Sequence, residues 1–149
     1  MNIAIRLAGL EDIEQLSPLF DGYRQFYGQA SDLALARRFL SERIAQRQSV
    51  ILLACDQAGL GVGFTQLYPS FSSVRAAPIY LLNDLYVASA ARGRGVGRDL
   101  LQAAAAHARA TGAIRMVLST AHDNATAQRL YEAQGWRRED AFYEYALAL

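Results

Sequence analysis

Apolar and polar positions alternate over residues 2–8, with Ile3, Ile5 and Leu7 on one side, and this period of two predicts a strand with one buried face. From Leu10 the period changes. Ile13, Leu16, Phe20, Tyr23 and Tyr27 recur at spacings of three and four, the stripe of an amphipathic helix that Pro18 should kink or split. Gly28 separates it from a second helix, with Ser31 as N-cap and Leu33, Ala36, Leu40 and Ile44 on its apolar face. The dense apolar run 49–55, the turn 56–59 and the alternation of Leu60, Val62, Phe64 and Tyr68 predict a hairpin. Residues 69–78, rich in serine and alanine, read as a loop, and 79–87 as a further strand.

Three glycines, Gly93, Gly95 and Gly97, then lead into a helix over 99–111 whose stripe is Leu100, Leu101, Ala104, Ala105 and Ala108. Gly112 stops that helix before a short buried strand at 114–118. A last helix over 124–134 carries Ala127, Leu130 and Tyr131 on one face and ends at Gly135, and 136–138 and 142–147 read as closing strands. The resulting order is β-αα-βββ-α-β-α-ββ, an α/β fold whose sheet mixes parallel and antiparallel pairs. No repeat, low-complexity tract or linker interrupts it, so one domain over residues 1–149 is expected.

Composition narrows the chemistry. At 149 residues the chain is long enough to bury a core without disulfides. All fifteen basic residues are arginine, which excludes a lysine Schiff base and the lysine of a Walker A loop. The net charge is +1 with the arginines dispersed, so no nucleic-acid partner is expected. Cys55 is the lone cysteine, lies in an apolar run without a basic neighbour and reads as packing. With no basic-plus-apolar leader pattern, a cytoplasmic location is expected. The longest uncharged run, 57–74, is too rich in glycine, serine and glutamine to span a membrane. No histidine, cysteine or carboxylate cluster has metal-ligand spacing, so no metal is expected.

The segment Arg92-Gly93-Arg94-Gly95-Val96-Gly97-Arg98 lies between a strand and a helix start. Unpaired backbone N–H groups and the helix dipole favour an anion there, glycines permit close approach, and arginines add fixed charge. Pyrophosphate suits it. The plainer reading is a glycine-rich connection with solvated arginines. A dinucleotide fingerprint fails, because Arg98 follows Gly97 and no carboxylate ends the next strand at Leu118-Ser119.

This loop resembles the R/Q-x-x-G-x-G/A segment of the GCN5-related N-acetyltransferase (GNAT) family. A second match, Asn124-Ala125-Thr126-Ala127-Gln128-Arg129-Leu130-Tyr131-Glu132-Ala133-Gln134-Gly135-Trp136, resembles that family's N-x-x-A-x-x-L-Y-x-x-x-G-F/W segment. The resemblance implies a single-domain acyl-CoA N-acyltransferase fold, with a mixed, mostly antiparallel sheet flanked by helices. It implies acetyl-CoA as cosubstrate, held by Arg92, Gly93, Arg94, Gly95, Val96, Gly97 and Arg98 at the pyrophosphate. Backbone groups of Leu85, Tyr86 and Val87, beside a bulged fourth strand, and the side chain of Asn124 would meet the pantetheine arm. Read alone, Asn124 is a helix N-cap; both roles can coexist.

By the same resemblance Tyr131 is the general acid for the departing thiolate, although a tyrosine on such a stripe is by itself a packing residue. Some relatives carry Glu-Asp where this chain has Asn83-Asp84. Asparagine cannot take a proton, which leaves Asp84 as candidate base, a water chain in its place, or Asp84 as a structural hydrogen-bonding group. Strand alternation puts Asn83 and Asp84 on opposite faces unless a bulge rotates them. His122, on the loop before Asn124, is a further candidate near the same end of the sheet. The acceptor, a primary amine of a small molecule or peptide attacking directly, would sit among Tyr23, Phe26, Tyr27, Tyr68, Phe71 and Tyr143. A homodimer is also compatible with the family. The competing function is a non-catalytic acyl-CoA sensor.

Overall fold

The alternation at the start of the chain becomes β1 (Ala4–Leu7), which pairs antiparallel with β2 (Val50–Cys55). β2 pairs with β3 (Gly61–Ser72), and β3 with β4 (Ala77–Val87), again antiparallel, while β4 and the two-residue β5 (Met116–Val117) run parallel. The sheet order is β1-β2-β3-β4-β5, the mixed and mostly antiparallel arrangement expected. The computed structural model describes residues 2–149, which fall into two units, one ending at Ser119 and one spanning Thr120–Leu149. The whole sheet belongs to the first, together with α1 (Ile13–Phe26), α2 (Leu33–Ala45) and α3 (Val96–Ala110); α4 (Ala125–Ala133) belongs to the second.

Period two sorts the sheet's side chains between two covered faces. Ile51, Leu53 and Phe64 join Leu16, Phe20, Ala36 and Leu40 of α1 and α2 in one buried cluster. Gly63, next to Phe64 and so turned to the other face, looks onto Val96 and Leu100 of α3. Cys55 is a buried free thiol in the first cluster, as its apolar surroundings require.

Several local expectations change. Pro18 does not split α1. Its missing N–H forfeits one bond to Glu14, a smaller loss than the buried face the helix carries. The N-cap of α2 is Asp32, whose Oδ1 accepts from Leu35 N–H at 3.0 Å, because the Ser31 hydroxyl is taken by Asp21 Oδ2 at 2.7 Å. Residues 69–78 are a loop only over 73–76: Ser70, Phe71 and Ser72 pair with Ile79, Pro78 and Ala77. That end of the hairpin buries neither face, so it leaves no hydrophobic alternation to read. The strand at 114–118 shrinks to Met116–Val117, half-buried.

The two closing strands are not formed; among the described residues, 136–149 contains no strand. Tyr143, Tyr145 and Leu147 keep their alternation but are exposed. Alternation prepares a face for burial, whereas a strand also needs a neighbouring edge in register, and none pairs with this segment.

All four helices end in the same cap, with the residue beyond the C-cap left-handed and two backbone bonds closing the last turn. Gly28, Gly112 and Gly135 fill that position in three of them, but in α2 it is Arg47 at φ +54, with Gln48 N–H on Arg43 O at 2.8 Å. A side chain there is strained. Arg47→Gly is expected to raise stability by about 0.5–1 kcal/mol, read as a higher midpoint in thermal or urea unfolding.

Candidate active site

The site begins with an irregularity in β4. Gln66 of β3 faces Asp84 while Leu67 faces Leu82, so Asn83 is an extra residue, a β-bulge. β5 pairs only with Tyr80 and Leu81. Beyond them, the edge of β4 that faces away from β3 has no strand partner among the described residues. The bulge also breaks the alternation that would have set Asn83 and Asp84 back to back. Their side chains meet, Asn83 Nδ2 donating to Asp84 Oδ1 at 2.7 Å.

Asp84 is 1% exposed. Its Oδ2 accepts from Gln66 Nε2 at 2.6 Å, and Tyr23 Oη donates to the Asn83 carbonyl at 3.1 Å. Burial disfavours the charged form and pushes the carboxyl up to about 6, while hydrogen bonds from Asn83, Gln66 and Tyr23 pull the other way. No cation is among these influences. Asp84 and Asn83 line a cavity of about 360 Å³, walled by Phe20, Tyr23, Phe39 and Tyr68, with Leu35 and Arg24 completing it. Burial and the Asp84 charge push the Tyr68 phenol up to about 12, so it stays protonated and can donate.

Further along, β4 reaches the glycine segment. Arg92 lies with its guanidinium carbon 5.6 Å from the Tyr86 ring centroid, and its Nε donates to Val87 O at 2.8 Å. Of the three residues expected to offer backbone groups, Val87 therefore already shares its carbonyl. Gly93 and Gly95 have φ of +75° and +80°. A Cβ at Gly95 would stand 2.7 Å from Arg98 Nη2. The first intrahelical bond is Asp99 N–H to Gly95 O, so the amides of Val96, Gly97 and Arg98 precede it at the open N-terminus of α3. Arg94 is exposed, and Arg98 pairs with Asp99 at 3.0 Å. Open amides, a dipole and flanking guanidiniums suit the pyrophosphate of coenzyme A.

In the second unit, Asn124 caps α4, its Oδ1 accepting from Ala127 N–H at 3.2 Å. Tyr131 is fixed by the other end of that helix. Gly135, at φ +91°, lets Trp136 N–H reach Tyr131 O at 3.0 Å and Gly135 N–H reach Glu132 O at 3.1 Å, and the Tyr131 and Trp136 rings lie 6.1 Å apart. His122 is exposed, its carbonyl accepting from Gln128 Nε2.

Of the aromatic residues expected around an acceptor, Tyr23 and Tyr68 line the cavity. Phe26, Tyr27 and Phe71 are exposed and do not, and Tyr143 lies in the second unit, also exposed. Sequence reasoning missed Arg24, which looks like any solvated arginine in the last turn of a helix, and Gln66, whose role depends on the bulge opposite it. No group of histidine, cysteine and carboxylate side chains among the described residues could hold a metal, and no helix among them is long and apolar enough to cross a membrane.

Residues 14–136 match the family model for the acetyltransferase (GNAT) family. The uncharacterized N-acetyltransferase YhfO of Bacillus subtilis (strain 168) is 47% identical over 143 residues, 96% of this chain and 95% of that protein. A probable acetyltransferase of Haemophilus influenzae is 36% identical over 81 residues, 54% of this chain and 56% of its own length. The crystal structure of a probable acetyltransferase superposes with a TM-score of 0.92 at 45% identity, covering 100% of this chain and 98% of that one. Matched by the family model over most of its length, and with such relatives along nearly all of it, the chain belongs to the acetyltransferase (GNAT) family and is an acetyltransferase.

Proposed function

We propose that the chain transfers acetyl from acetyl-CoA to a primary amine by direct attack, with Asp84 receiving the amine's proton and Tyr131 supplying one to the departing thiolate. The observation that carries the amine reading is Asp84, a carboxyl 1% exposed at an aromatic-walled cavity, with no cation among the groups acting on it. A buried carboxylate without a counter-charge is costly, and an ammonium entering the cavity offsets that cost. Aromatic faces favour the same cation. Asn83 Nδ2 and Gln66 Nε2 donate to one carboxylate oxygen each, so both oxygens keep acceptor capacity for a substrate donor. Near 6, the carboxyl is ionised at neutral pH and still basic enough to take a proton.

In this reading acetyl-CoA supplies the thioester when bound. Arg92, Arg94, Arg98 and the amides from Gly93 to Gly97 hold its pyrophosphate, the β4 edge at Leu85, Tyr86 and Val87 holds the pantetheine arm, and Asn124 adds a hydrogen bond. The motif match supports Tyr131 and Asn124; the open α3 terminus and unpaired β4 edge support the rest. Thiol release from acetyl-CoA should require an added primary amine and be matched by an equal amount of N-acetylated product. Tight coenzyme A binding without amine-dependent release across a broad amine panel would overturn the reading in favour of a sensor.

A further inference from the structure

The cavity that holds Asp84 has a second charged group, Arg24. Four guanidiniums of this unit pair with carboxylates: Arg6 with Asp12, Arg37 with Glu14, Arg43 with Glu42 and Arg98 with Asp99. Arg24 is not one of them. Its Nη1 is buried and has no hydrogen-bond partner in the protein. Asp21 feels its charge, but Asp21 accepts instead from Ser31 Oγ, Asp32 N–H and Gln25 Nε2, at 2.7, 2.7 and 3.0 Å. Those bonds, chiefly that from Ser31, hold the Asp21 carboxyl well below its usual range, and none of them involves Arg24. Its backbone is fixed as well, since the Arg24 carbonyl accepts from both Tyr27 and Gln29 N–H in the α1 cap.

The cavity wall thus holds a carboxyl with no cation acting on it and an arginine whose guanidinium keeps a buried nitrogen without an acceptor. We propose that Arg24 binds a carboxylate of the acceptor, so that the preferred substrate is an amino acid: one small molecule carrying a primary amine for Asp84, a carboxylate for Arg24 and an apolar body between them. This rests on the amine-acetylating reading above. The planar fork of arginine suits a carboxylate. Phe20 and Phe39, stacked at 5.5 Å, and Leu35 give the body an apolar wall. A volume of about 360 Å³ is at the small end for ligand sites and fits a single residue rather than a folded surface.

The test compares leucine, methionine and phenylalanine, each with its α-amide and its decarboxylated amine, as acceptors in thiol release from acetyl-CoA. A site built to bond a group rejects analogues lacking it, so kcat/KM for the amino acids should exceed that for their amides and amines by about 30-fold or more. Arg24→Gln should erase the difference by raising KM for the amino acids far more than for the amides, and Arg24→Lys should recover part of it. Calorimetric binding of the same amino acids to the wild-type protein and to Arg24→Gln, with unfolding midpoints confirming that both are folded, reads the effect without turnover. Amides or amines matching the amino acids would overturn the carboxylate requirement and leave amine acetylation standing. No release with any of the nine would overturn the amino-acid proposal, and failure across the wider amine panel would remove the amine reading too.

Discussion

Asp84→Asn is expected to lower kcat/KM for the amine about 100-fold and, unusually for a core substitution, to make the protein more stable at neutral pH. Both effects follow from one carboxyl. Its folded value of about 6 lies above the ordinary 3.8 because burial penalises the charge. Below about pH 4, folded and unfolded chains both carry the proton. Between about 4 and 6 the unfolded chain loses it first, so stability falls as pH rises, and above 6 the full cost, on the order of 3 kcal/mol, persists. Asparagine has no charge to bury. Its amide can also be matched, because Gln66 Oε1 is buried with no partner in the protein and a turn of that amide presents an acceptor. Urea unfolding of both proteins from pH 4 to 8 should show curves that diverge upward in pH, the variant ahead by about 2 kcal/mol at pH 8. In kinetics, the wild type should lose kcat/KM as pH falls through about 6, a limb missing from the variant. A purely structural Asp84 predicts the reverse pattern: lower stability in the variant, with kcat/KM and its pH profile unchanged.

The groups around that carboxyl show what a sequence can and cannot convey. The inner strands β2, β3 and β4 and the first three helices are legible because they carry buried faces, and burial imposes a period on residue choice; β1 keeps its period although Leu7, on the face expected to be buried, is exposed. Where burial ends, legibility ends with it: the outer hairpin of Phe71 and Pro78 reads as a loop, and the alternation of Tyr143 and Tyr145 as a paired strand. The glycine segment was legible for a different reason, since left-handed backbone at Gly93 and Gly95 restricts the choice of residue directly. Asn83 beside Asp84 was ambiguous because one inserted residue reverses the facing of every side chain after it, and nothing in the local sequence marks a bulge. Arg24 was invisible for want of any local pattern. Its distinction lies in the partner it lacks, and that depends on Ser31, Asp32 and Gln25 having taken Asp21.

Replacing Tyr131 by phenylalanine should reduce kcat about 100-fold, while KM for the amine and the affinity for coenzyme A stay within about twofold of the wild type. The substitution removes the phenol oxygen and keeps the ring. The phenyl ring keeps its place 6.1 Å from Trp136, and the backbone bond from Trp136 N–H to the residue 131 carbonyl is untouched, so the α4 cap is preserved. A change in rate therefore reports the phenol. Proton donation to a thiolate is needed only as the carbon–sulfur bond breaks, so losing it lowers kcat and kcat/KM together rather than weakening binding. Equal kcat in the two proteins would remove Tyr131 from the mechanism and leave the thiolate to depart unprotonated or to draw on water.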